Sequence, residues 1–173
     1  MGYKIFISHS MAPEDLGIVY AMTEQANQRG ISTFVAERAS QLEESVSKRN
    51  EAAIRDSGSI VVFVTRGKFR GPLARLLPFT DVHLQWVHQE IGAARALRKP
   101  IIPIIETGVP ITEFGVKKYV PLNRERPWES IQKAVKFIES QKIKKEQSDL
   151  LALTVSSFIG GLLLLAFLGS GKK

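Results

Sequence analysis

The chain has 173 residues, with 24 Lys and Arg against 17 Asp and Glu, a formal charge of +7, and no cysteine. The missing cysteine excludes disulfides, thiolate metal clusters and thiol nucleophiles, and because no arginine-rich block concentrates the positive charge, nucleic acid is not expected as a partner. The length holds one ordinary domain and a tail rather than two globular domains.

Short apolar runs alternate with helical patterns from the start. Residues 3–8 (YKIFIS) predict a strand, followed by a helix over 14–29 that Pro13 opens, Glu14 and Asp15 favour by their charge in the first turn, and Gly30 closes. Ile31–Val35 predicts a second strand, and residues 43–57 a helix with Val46, Ala53 and Ile54 facing inward. Ser59–Thr65 (SIVVFVT) is a continuous β-branched run of the kind that a parallel sheet buries on both faces. A helix over 81–97, a buried strand at Ile101–Ile105 despite Pro103, a short edge strand over 119–122 and a helix over 127–142 complete the order. The strict alternation predicts an α/β fold, an open doubly wound parallel sheet with helices on both faces. Ligands of such sheets sit beyond the carboxyl ends of the strands, where the loops 8–13, 36–43, 65–80 and 106–115 are expected to converge.

The tail has its own logic. Leu150–Leu168 carries no charge and places apolar side chains all round a helical wheel. At about 1.5 Å per residue the run spans roughly 28 Å, against a hydrocarbon thickness of about 30 Å. It predicts a single C-terminal transmembrane helix, with a buried helix of a soluble domain as the alternative. Lys142, Lys144 and Lys145 before the run outnumber Lys172 and Lys173 after it, so the positive-inside rule keeps the main domain in the cytoplasm as a single-pass, tail-anchored protein. Residues 1–141 then form the domain, 142–149 a basic juxtamembrane linker against lipid headgroups, and 169–173 a short tail. No basic segment followed by an apolar one opens the chain, so a secretory signal is not expected. Ser156 with Gly160 and Ser157 with Gly161 are small pairs at i, i+4 that would let two such helices approach closely.

No GxGxxG and no GxxxxGK[ST] follows a strand, which argues against a dinucleotide fingerprint and a phosphate loop. His83 and His88 stand about 140° apart on a helix, so neither a metal site nor a resident cofactor is expected. The informative cluster is Trp86–Ile91 (WVHQEI), in which Trp86 and Glu90 share a helix face at i, i+4. A carboxylate one turn from a large flat ring suits cleavage of an N-glycosidic bond, where it holds a ribose hydroxyl or stabilises an oxocarbenium-like centre. The same spacing, taken alone, is more often that of a core anchor beside a surface charge.

KIFISHS (4–10), SIVVFVT (59–65), WVHQEI (86–91) and KPIIPII (99–105), in this order and spacing, resemble the Toll/interleukin-1 receptor (TIR) domain from Tyr3 to about Ser140. The resemblance is closest to the branch in which a tryptophan-x-x-x-glutamate helix carries NAD-cleaving activity, in bacterial defence proteins and in the animal axon-degeneration enzyme. It implies a flavodoxin-like TIR fold, with NAD+ as substrate and Glu90 as the catalytic glutamate. The expected reaction breaks the nicotinamide–ribose bond and gives nicotinamide with ADP-ribose or a cyclic variant. Trp86 would line the same pocket, and Ser8, His9 and Ser10 match the segment that forms the opposite wall. Glu37 falls in the loop over 36–44 that corresponds to the family's head-to-tail assembly loop, although the glycine usual there is missing. Each residue also has a plainer reading: Ser8 and Ser10 bonding the turn backbone, His9 packing under the next helix, Glu37 a solvated charge. The implied whole is a membrane-tethered NAD+ glycohydrolase of prokaryotic antiviral defence, activated when its domains self-associate. A non-enzymatic adaptor or membrane-disrupting effector, and nucleoside deoxyribosyl transfer on a related sheet, stand as alternatives.

Overall fold

The computed structural model describes residues 2–9, 13–36, 44–65, 82–109, 115 and 118–169, the side chains at 13, 44–45, 82–86 and 152–169 excepted. Five strands and four helices are found among these residues, alternating as far as β4: β1 (Tyr3–Ser8), α1 (Pro13–Asn27), β2 (Ile31–Val35), α2 (Glu44–Asp56), β3 (Ser59–Val64), α3 (Val82–Ala96), β4 (Ile101–Glu106), β5 (Val120–Leu122) and α4 (Pro127–Gly169). The strands form one parallel sheet in the order β2-β1-β3-β4-β5. That is the doubly wound, flavodoxin-like order, whose direction of winding reverses between β1 and β3.

Two-residue periodicity distributes the core over both faces of the sheet. Ile5, Ile7, Val61, Phe63 and Ile104 pack under α1, through Val19, Met22 and Ala26, and under α4, through Ile131, Ala134, Val135 and Ile138. On the opposite face Phe6, Ile60, Val62 and Val64 meet Ala53 and Ile54 of α2 and Val87, Ile91 and Ala94 of α3. Every residue of the central β3 is buried, as its continuous apolar run requires. Pro103 costs β4 no ladder bond. The Ile60 amide donates to the Pro100 carbonyl at 2.9 Å, which directs alternate residues of β4 toward β3 and turns the Pro103 nitrogen to the other side, below the point where β5 pairing starts at Ile104 and Val120.

The helix boundaries differ from the expectation in instructive ways. α1 stops at Asn27, and residues 28–30 turn out of it through Gly30 at φ +65°. α3 stops at Ala96, and its left-handed closing position is taken by Arg98 at φ +52° rather than by a glycine. The largest difference lies in α4, which does not end near residue 142 but continues unbroken to Gly169. The segment expected as a linker, KIKKEQSD, contains neither Gly nor Pro and continues the helix. Lys142 and Lys145 follow Ile138 at i+4 and i+7, so they stay on the face that packs on the domain. Lys142 Nζ donates to the Arg29 carbonyl at 3.3 Å, Arg29 pairs with Glu139 at 3.1 Å, and Lys145 Nζ stands 5.9 Å from the centroid of the Tyr3 ring. These two lysines therefore bind the domain itself. Among the described residues no helix is long and apolar enough to cross a membrane; the side chains of the Leu150–Leu168 run beyond Leu151 lie outside the described residues.

Candidate functional site

Glu90 owes its place to the helical repeat of α3. Val87, Ile91 and Ala94 form the inward stripe, and Glu90 lies on the flank of that stripe. It is only 4% exposed. A surface charge, the plainer reading of this glutamate, would be solvated; this one is enclosed. The flank borders a cleft of about 250 Å³ between α2 and α3, lined by Ser47, Asn50, Glu51 and Ile54 from α2 and by Gln89 and Glu90 from α3. At the outer rim Glu51 is ion-paired with Arg55 at 3.0 Å.

Asn50 is the functional candidate that sequence reading missed. It is also 4% exposed, and it falls four residues after Val46 and three and four before Ala53 and Ile54, in the middle of the inward stripe of α2. Burying a polar side chain without a partner costs a few kcal/mol, so such groups are almost always engaged. Asn50 and Glu90 both are. The signal was present in the helical spacing, but a reading that collects only apolar inward positions passes over it.

Ser8, at the carboxyl end of β1, is wholly buried. Alternation from Phe6 puts it on the α2/α3 side of the sheet, the side on which Glu90 lies. His9, the next residue, is 5% exposed and thus lies within the fold. The structure brings Ser8 and Glu90 to one face. Trp86 stands on α3 one turn before Glu90, but its side chain lies outside the described residues, as do Ser10 and Glu37 entirely. No group of three or more His, Asp or Glu side chains comes together to hold a metal ion among the described residues.

A second polar cluster sits at the carboxyl edge of the sheet. Arg124, just beyond β5, donates through Nε and Nη2 to the two oxygens of Glu106 at 2.8 and 3.0 Å, and through Nη2 to Asp15 Oδ1 at 2.7 Å. The Thr65 hydroxyl donates to the other Asp15 oxygen. Hydrogen bonding to Glu106, joined by Asp15 and opposed by burial, raises the guanidinium pKa above its ordinary range. The cluster ties together the first turn of α1, the end of β4, the residue after β3 and the segment after β5. Glu14 and Asp15 had suggested only a helix-dipole role; Asp15 is instead buried, and its partner lies 109 residues away.

No family model matches the chain, and no curated protein is matched by sequence. Among solved structures the chain is similar to a 2-deoxyribosyltransferase from Bacillus psychrosaccharolyticus at 14% identity, over 74% of this chain and 95% of that one, with a TM-score of 0.49. It is similar to a CMP N-glycosidase of Clostridium botulinum at 18% identity, over 75% of this chain and 95% of that one, also at 0.49. Against the TIR domains of the activated Roq1 resistosome the identity is 16%, over 86% of this chain and 77% of that one, with a TM-score of 0.44.

Proposed function

We propose that the chain cleaves the N-glycosidic bond of NAD+ between nicotinamide and ribose, with Glu90 as the catalytic carboxylate. The observation that carries this reading is the burial of Glu90, at 4% exposure, in the wall of an open cleft. It is joined by the WVHQEI motif that resembles the NAD-cleaving TIR branch. In the reaction the electron pair of the C1′–N bond leaves with nicotinamide and the ribose becomes oxocarbenium-like. A carboxylate held in a partly dehydrated wall favours that developing positive charge far more than one in water. Water then adds at C1′ and gives up a proton, so the products are nicotinamide, ADP-ribose and H+; attack by the adenine nitrogen gives the cyclic variant instead. On the same resemblance Trp86 is assigned to the lining of the pocket, Ser8, His9 and Ser10 to its opposite wall, and Glu37, from the loop that corresponds to the assembly loop, to substrate binding.

The apolar Leu150–Leu168 run is read as a membrane tether with the domain on the cytoplasmic side, and clustering in the membrane as the activating event within an antiviral response. Confinement raises effective concentration without any new contact. Cellular NAD+ measured after induced expression tests the reading against the docking or membrane-disrupting alternative. Wild type is expected to deplete NAD+ and Glu90→Gln to spare it, with Leu163→Arg, which makes insertion costly, weakening depletion. Toxicity that survives Glu90→Gln but is abolished by Leu163→Arg contradicts the enzymatic reading.

A further inference from the structure

We propose that Asn50 is the positioning residue for Glu90, a side chain of α2 that fixes the orientation and charge state of the carboxylate from across the cleft. The proposal rests on the reading of Glu90 as the catalytic carboxylate. Of the described residues that line the cleft, only Asn50 and Glu90 are both polar and nine-tenths buried. They come one from each of the two packed helices. Ser47, Glu51 and Gln89 are exposed at the rim, and Ile54 is apolar. Position 50 lies among Val46, Ala53 and Ile54, where leucine would fill the stripe with no desolvation cost. An amide in that place brings two donors and one acceptor, enough to hold a carboxylate while leaving the acceptor for a ribose hydroxyl.

On α2, Glu51 is held by Arg55 at 3.0 Å, and Lys48 and Arg49 are exposed. On the sheet below α3, Phe6, Val62 and Val64 are apolar and Ser8 is uncharged. On α3 itself Gln89 is neutral and His88 is exposed. The buried His9 follows Ser8 at the end of β1.

The test is a carbon-13 NMR titration of the Glu90 side-chain carboxyl in the full chain, for wild type, Asn50→Asp and Asn50→Ser, with nicotinamide release measured on the same samples. Two carboxylates in one wall cannot both ionise freely, so in Asn50→Asp the Glu90 midpoint is expected to rise by about one pH unit or more. In Asn50→Ser, which folds without adding charge, a smaller upward shift is expected, with kcat lowered about tenfold and KM within about threefold of wild type. A Glu90 midpoint that moves in neither variant overturns the proposal. Because the titration needs no turnover, wild type that leaves NAD+ intact would count against the proposed reaction alone.

Discussion

Deleting the Arg124 guanidinium would leave the carboxylates of Asp15 and Glu106 at the carboxyl edge of the sheet with their shared cation gone, Asp15 at 1% exposure. Removing one partner of a buried ion pair costs more than the pair itself contributes, about 3–5 kcal/mol, because the remaining charge stays buried. Arg124→Met is expected to lose about 3 kcal/mol by urea unfolding, and Arg124→Lys, which keeps the charge but not the two-pronged geometry, to recover part of it. Tyr3 offers a test in pH. Burial raises its phenol above the ordinary value of 10.0, so the folded state holds that proton more tightly than the unfolded chain. The contribution is complete below about pH 10 and is lost as the pH climbs through the folded value. Thermal scans from pH 9 to 11.5 should show wild type losing stability more steeply than Tyr3→Phe. Glu90 stood out as a candidate in the sequence because a short motif carries its own spacing. Asn50 and Arg124 did not: an inward asparagine differs from an exposed one only through what it faces, and the partners of Arg124 lie on β4 and on the first helix of the chain.

At the scale of elements, the strands were readable within a residue or so because their signals are local, the buried β-branched run of β3 above all. Helix ends were harder, since their closing turns depend on one residue's backbone and on side chains brought in by the fold. Arg98 closes α3 at φ +52°, with the Lys99 amide bonded to the Ala94 carbonyl at 2.8 Å. The neighbouring Lys99 Nζ caps the end of α2 through the Arg55 and Ser57 carbonyls at 2.7 and 2.6 Å. A non-glycine residue in this region costs about 1 kcal/mol, so Arg98→Gly is expected to raise the unfolding free energy by a few tenths to about 1 kcal/mol. An unchanged or lower midpoint would show that the arginine stem repays its backbone cost. The unbroken α4 was missed for another reason: the basic composition of residues 142–149 suggested a linker, yet composition alone does not stop a helix across a segment that lacks Gly and Pro.

For the molecule as a whole, the direction of α4 matters most. The helix starts beside Arg124 at the carboxyl edge of the sheet and passes Arg29 and Tyr3 at the amino edge, where Lys142 and Lys145 bind. Its 43 residues, at about 1.5 Å each, reach roughly 65 Å, well beyond the sheet. The apolar run is thus joined to the amino edge of the sheet, opposite the carboxyl edge where Arg124 holds Asp15 and Glu106. The central claim is more local than this arrangement: Glu90 breaks a glycosidic bond. It is tested most directly by separating the products formed from NAD+ by the purified full chain at high density on vesicles, beside Glu90→Ala under the same conditions. Wild type is predicted to release nicotinamide in step with the loss of NAD+, and Glu90→Ala to do so at least about a hundredfold more slowly. Intact NAD+ with the wild-type chain, or equal release by both, would contradict it.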